Sequence, residues 1–170
     1  MTDVQSSIVN IRRAGPDDAE AVLSLIAALA EFEKLAGPDE TAHARFLEHG
    51  FGPDPKFEAY LAEIPEDDNK AVGYALLFST FSTFLVKPGL YLEDLFVLPE
   101  YRRLGIGKRL LKHCVQLAVD RGCGRLEWTC LDWNVNAQAV YDGIGARRMH
   151  DWLLYRMTEE SLAQYLDESA

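Results

Sequence analysis

Cysteine is scarce in this chain: Cys114, Cys123 and Cys130 are the only three, and no two form a CxxC pair. An odd count without paired spacing excludes a disulfide-stapled fold and a cysteine-built zinc site. Cys114 lies on an apolar helical face and Cys130 in an apolar run, so both read as small core hydrophobes. The four histidines, His43, His49, His113 and His150, are scattered without HExxH spacing, and no metal is expected. Basic residues are also in deficit, 17 Lys and Arg against 27 Asp and Glu, for a formal charge of −10. Nucleic acid is therefore not an expected partner, because phosphate neutralisation needs a basic surface. No apolar run reaches the roughly 18–20 residues that span a bilayer, so no membrane partner is expected either. Met1 to Asn10 lacks the basic and apolar regions of a secretory signal. A cytoplasmic location is the resulting expectation.

What is present is the mix of a soluble globular protein, 48% hydrophobic and 26% charged over 170 residues. With no repeats and no linker-like stretch, residues 1–170 read as a single domain. Val9 to Arg13 predicts a strand. Gly15-Pro16 opens a helix with Asp17 and Asp18 in its first turn and a stripe of Val22, Leu25, Ile26 and Leu29. A short helix follows over about Thr41 to Glu48, stopping at Gly50. Strands are predicted at Phe57 to Ile64, Ala71 to Phe81 and Leu90 to Leu98. Leu110, Cys114, Leu117 and Ala118 mark a helix ending at Gly122. Then come a strand at Leu126 to Leu131, a helix at Asn136 to Ile144, a strand at Arg148 to Met157 and a closing helix capped by Thr158. Hairpin spacing makes the middle strands antiparallel, while strand-helix-strand after Leu90 needs a parallel crossover. The fold class is a mixed α/β sheet covered by helices.

The chemistry concentrates at the end of the strand predicted over Leu90 to Leu98, in Leu98-Pro99-Glu100-Tyr101-Arg102-Arg103-Leu104-Gly105-Ile106-Gly107. A strand runs into a glycine-containing turn, and a helix starts directly from it. Unpaired N–H groups and the partial positive charge of a helix N-terminus can hold a phosphate there. A GxGxxG fingerprint would need glycine where Leu110 stands. A P-loop would need glycine at Arg102 and a hydroxyl at Arg109. The pattern that fits is Arg102-x-x-Gly105-x-Gly107. Around it Arg102, Arg103, Lys108, Arg109 and Lys112 gather five of the 17 basic residues, a collar suited to an anionic ligand.

That signature resembles the phosphate loop of the GNAT N-acetyltransferase superfamily. Further segments resemble its diamine acetyltransferase branch, and most closely the thialysine N-epsilon-acetyltransferases. They are Leu29 to Leu35, His49-Gly50-Phe51-Gly52, Tyr91-Leu92-Glu93-Asp94, Gly122-Cys123, Leu131-Asp132-Trp133-Asn134, Tyr141 and Gly145-Ala146. The resemblance runs from about Val9 to Trp152. It implies the GNAT fold, a mostly antiparallel sheet with one parallel pair and helices on both faces, acetyl-CoA as cosubstrate and a homodimer.

The resemblance also implies roles. Tyr141 matches the proton donor near the sulfur. Leu95, Phe96 and Val97 match the strand edge that pairs with the pantetheine arm. Arg102, Arg103, Leu104, Gly105, Ile106, Gly107 and Lys108 match the pyrophosphate loop. Asn134, Val135, Asn136 and Ala137 match a second cofactor segment, with the Asn134 side chain as an amide partner. For the acceptor, Glu93 matches a residue facing the amine, Phe32 and Glu33 a second contact, and Glu127, Trp128 and Thr129 a third. With no GxSxG elbow and no Cys-His constellation, direct transfer in a ternary complex is favoured over a covalent relay. Two carboxylates of polyamine-preferring members are replaced, by Thr83 and Trp152. The expected acceptor is thus a small primary amine, such as a lysine analogue or a diamine. A protein amine as acceptor, or a non-catalytic acyl-CoA-binding module, stand as alternatives.

Overall fold

The alternating middle segments form a five-stranded sheet in the computed structural model, which describes residues 9–168. Strands β1 (Asn10–Arg13), β2 (Glu58–Ile64), β3 (Lys70–Ser82), β4 (Lys87–Val97) and β5 (Leu126–Glu127) lie side by side in chain order. β1 to β4 pair antiparallel and β4 pairs with β5 in parallel. The parallel pair needs a crossover, which α3 (Ile106–Asp120) supplies. Helices α1 (Ala19–Glu33) and α2 (Ala42–Phe51) fill the connection between β1 and β2. The chain divides into two compact units, Met1–Thr129 and Cys130–Ala170. The sheet and α1 to α3 belong to the first, and α4 (Val135–Gly143) and α5 (Glu159–Glu168) to the second.

The first unit buries both faces of its sheet. Tyr74, Leu76 and Phe96 pack with Val22 and Leu25 of α1 and Phe46 of α2. Side chains alternate along a strand, so Ala75 and Leu77 point to the opposite face. There α3 contributes Ile106, Leu110, Leu111 and Cys114, all buried. Burial pushes the Cys114 thiol up to about 12, which leaves it an inert core group. Glu63, a strongly buried carboxylate, receives the guanidinium of Arg12, which also grips Asp18 ahead of α1. That pairing ties β1, β2 and the helix entry together. Among the described residues no helix is long and apolar enough to cross a membrane.

Four expectations are corrected. α2 does not stop at Gly50 but runs through it to Phe51, because Gly50 packs its bare face on the Phe57 ring. The strand expected over Leu126 to Leu131 keeps only Leu126 and Glu127, where Leu90 and Tyr91 of β4 offer a ladder. Arg148 to Met157 forms no strand and pairs with no other strand among the described residues. Its Trp152, Leu153, Leu154 and Tyr155 are exposed, an unbroken apolar run without the alternation that fixes a half-buried strand. Cys130 is exposed and not a core residue. The closing helix is capped as expected, with Thr158 Oγ1 accepting the Ser161 N–H at 3.3 Å.

Candidate active site

β4 carries the site because its two edges are treated differently. One edge pairs with β3 almost throughout, from Lys87 to Val97. The other pairs with β5 only at Leu90 and Tyr91. From Leu92 onward the β5-side main chain of β4 therefore has no ladder among the described residues, and this stretch includes Leu95, Phe96 and Val97. Free strand edges accept an extended ligand through main-chain hydrogen bonds.

A bulge sits where the ladder stops. Leu76 pairs with Asp94 and Leu77 with Leu92, which leaves Glu93 as the extra residue. In a regular strand Leu92 and Asp94 would share a face. The inserted residue puts them on opposite faces and leaves Glu93 exposed at the bend. Asp94 thereby joins the α1 face. There Tyr74 donates a 2.9 Å hydrogen bond to its Oδ2. Burial lifts the Asp94 carboxyl to about 6 against the lowering effect of that bond, with Glu93 and Glu33 pushing the same way as burial. So Glu33, at the C-terminus of α1, and Glu93 act electrostatically on one carboxylate.

Beyond β4 the chain turns sharply into α3. Arg103 (φ 65°) and Gly105 (φ 79°) both take left-handed backbone conformations, which glycine adopts without strain. Gly105 is the N-cap of α3 and no side chain caps that end. The first-turn N–H groups of Ile106, Gly107 and Lys108 lie ahead of any intrahelical acceptor. A Cβ on Gly107 would meet only a Val97 methyl at 3.8 Å, and one on Gly105 nothing within 4 Å. The turn is bare on its outer side. Arg103, Lys108 and Lys112 are exposed around it.

Arg102 is different from the rest of the collar. Its Nε donates to the Val97 carbonyl at 2.9 Å, and its guanidinium lies 4.5 Å from the centre of the Phe32 ring and 5.4 Å from that of Phe96. The two rings are themselves 6.3 Å apart. Arg102 therefore braces the turn against α1 and β4, and uses up one of the main-chain carbonyls at the free edge. Arg102→Ala is expected to lower stability by about 2 kcal/mol, one charge-assisted hydrogen bond plus a cation–π contact, and to weaken acetyl-CoA binding by loosening the turn. Urea unfolding and calorimetry check the two effects separately.

At the end of β5, Glu127 is paired with Arg125 at 2.7 Å. Trp128 is half-buried and Thr129 exposed.

The Acetyltransferase (GNAT) family profile matches residues 24–146. The chain belongs to the GNAT acetyltransferases. A thialysine N-epsilon-acetyltransferase of Bos taurus is 34% identical over 93% of this chain and 97% of its own length. An L-ornithine N5-acetyltransferase of Arabidopsis thaliana is 41% identical over 64% of this chain and 47% of its own. Among solved structures, an integron cassette protein from the mobile metagenome of V. cholerae superposes with a TM-score of 0.79 at 26% identity, covering 93% and 97% of the two chains. This GNAT protein is an N-acetyltransferase.

GNAT acetyltransferases take acetyl-CoA as cosubstrate, and the first unit fits one. The turn at Arg103 to Lys108 offers uncapped N–H groups and exposed cations for a diphosphate. The unladdered edge of Leu95 to Val97 offers main-chain groups to an amide-bearing arm.

In the second unit of this GNAT chain, Asn134 caps α4: its Oδ1 accepts the Ala137 N–H at 3.3 Å. Sequence reasoning gave that side chain only an outward role, yet capping is its role within the fold. Gln138 Nε2 donates to the carbonyls of Leu131 and Asp132, at 3.0 and 2.9 Å, and locks the loop before the helix. Val135 and Asn136 are exposed, and Ala137 half-buried. Tyr141 lies one turn further along, half-buried, its phenol pushed up to about 12 mainly by burial. Gly145, at φ 82°, ends the helix.

Tyr74 and Asp94 are the residues that sequence reasoning missed. The adjacent carboxylates of Glu93-Asp94 were a signal, but only the bulge reveals that they serve different faces.

Proposed function

We propose that this protein transfers the acetyl group of acetyl-CoA directly to a small primary amine within a ternary complex. The observation that carries the reading is the juxtaposition on β4 of a free main-chain edge with the carboxylates Glu93, Asp94 and Glu33. A cationic amine is drawn to the carboxylates, and the thioester is held along the edge beside them. The relatives named for thialysine and ornithine support an amino-acid-like amine. The exposed Thr83 and Trp152, where polyamine-preferring members carry carboxylates, speak against a long polycation.

In this reading Glu93 holds the acceptor ammonium and takes its proton, directly or through one water. The neutral nitrogen attacks the thioester carbonyl, the C–N bond forms and the C–S bond breaks. Tyr141 hydrogen-bonds the departing sulfur, which leaves as the thiol. Products are the N-acetylated amine and coenzyme A, with protons conserved. Arg103 to Lys108 and Asn134 to Ala137 hold the cosubstrate, while Phe32, Glu33 and Glu127 to Thr129 contact the acceptor. Residues 1–170 act as one transferase domain, working as a cytoplasmic homodimer.

The test is acetyl-CoA consumption measured against lysine analogues, diamines, polyamines and amino acids. Turnover is expected with monoamines of amino-acid type and short diamines. Glu93→Gln should raise the acceptor KM about tenfold or more, the loss of one charge-assisted contact, and leave acetyl-CoA affinity unchanged. No consumption with any small amine, or a Glu93→Gln effect confined to acetyl-CoA, overturns the reading.

A further inference from the structure

Tyr74 is a fully buried tyrosine in the centre of β3, with 0% of its surface exposed. A phenol there must find a partner, and it finds Asp94 Oδ2 at 2.9 Å across the strand pair. Burial beside that carboxylate holds the Tyr74 hydroxyl protonated throughout the working range, so the direction of the bond never reverses. The second oxygen of Asp94 receives no protein hydrogen bond among the described residues. Asp94 itself is only half-buried. The bulge at Glu93 is what turns Asp94 to the α1 face, where Tyr74 can reach it.

We propose that Tyr74 is a positioning residue of the acceptor site, fixing one oxygen of Asp94 so that the other is presented to the acceptor amine beside Glu93 and Glu33. The inference rests on the small-amine reading above, which assigns Glu93 and Glu33 to the acceptor. Asp94 is faced by Tyr74 from β3, by Glu93 from its own strand and by Glu33 from α1. Arg102, on the same side, is engaged by Val97 and the rings of Phe32 and Phe96.

The consequence is a pH dependence with a definite sign. With its carboxyl raised to about 6, Asp94 loses its charge as the pH falls through that value, and acceptor binding weakens with it. The Tyr74 hydrogen bond opposes the rise. Removing it should move the acidic limb to higher pH, by on the order of one unit for one hydrogen bond to a charged group.

Tyr74→Phe keeps the ring that fills the core. The experiment follows kcat/KM for the best amine against pH in the wild type, Tyr74→Phe and Asp94→Asn. The aspartate carboxyl carbons are titrated by NMR in the same proteins, with Asp94→Asn assigning the resonance. The expected results are an upward shift of both the limb and the Asp94 titration in Tyr74→Phe, a raised acceptor KM, unchanged acetyl-CoA affinity, and loss of the limb in Asp94→Asn. A wild type that acetylates amines while Tyr74→Phe shifts neither limb nor titration overturns this inference alone. Retention of the limb in Asp94→Asn does the same, and needs no folded Tyr74→Phe. A wild type that acetylates no small amine overturns the functional reading and this inference with it.

Discussion

Tyr141→Phe is expected to lower kcat by about 10²–10³-fold, the usual range for losing one hydrogen-bond donor to charge that develops in the transition state, with acetyl-CoA affinity nearly intact. The variant removes one oxygen and keeps the ring on α4, so the helix and its Asn134 cap should persist. Burial holds the phenol at about 12, so it is fully protonated wherever the enzyme works. A thiol lies near about 8.5 by analogy with cysteine, which makes this phenol the weaker acid of the two. Complete proton transfer from tyrosine to sulfur is therefore uphill. In the proposed reaction the phenol supplies a hydrogen bond that strengthens as thiolate charge develops, and the net proton reaches the sulfur from the acceptor nitrogen. It follows that no alkaline limb below about pH 11 should belong to Tyr141, given its raised value. Rates and calorimetry on the purified variant check this. Undiminished turnover would remove Tyr141 from the mechanism.

The parts of this fold that were legible in the sequence are those where local chemistry and tertiary packing agree. Val22 and Leu25 repeat at helical spacing and are buried, and Thr158 caps the helix that follows it. The turn at Gly105 announces itself because left-handed backbone and a bare helix end both ask for glycine. Strand ends were less legible. Whether Trp128 to Leu131 pairs with anything depends on how far β4 runs alongside, which no property of Trp128 records. Arg148 to Met157 has strand-like composition, yet a strand exists only through its ladder.

The candidate site was legible to a similar degree and failed for a similar reason. The Gly105-x-Gly107 turn was read from its residue types, and Glu93 was picked out by the resemblance to the family. Arg102 was counted with its basic neighbours, although its guanidinium is folded onto Phe32 and Phe96. An arginine among arginines gives no sign that two rings more than sixty residues apart in the chain meet beneath it. Tyr74 was invisible because a bulge in the neighbouring strand determines which carboxylate it meets. Register is a property of pairs of strands, and a one-residue insertion changes every face beyond it.

Gly107→Val is expected to abolish acetyl-CoA binding in a protein that still folds. Substituting glycine usually confounds ligand exclusion with damage to the fold, but the surroundings of Gly107 separate them here. Its backbone is ordinary helix in the first turn of α3 and not left-handed, so a side chain brings no backbone strain. The new Cβ would meet one Val97 methyl at 3.8 Å, an ordinary contact. Valine also has a better helix propensity than glycine. Thermal stability should therefore hold or rise slightly. The branched side chain would instead crowd the first turn of α3, which in the proposed reading receives the diphosphate. Losing two charge-assisted hydrogen bonds corresponds to a drop in affinity on the order of 100-fold or more. Gly107→Ala, one methyl instead of an isopropyl group, should fall between the two. Calorimetric titration with coenzyme A, set beside thermal melts of the three proteins, decides the matter. A folded Gly107→Val that binds coenzyme A with wild-type affinity would show that the diphosphate lies elsewhere.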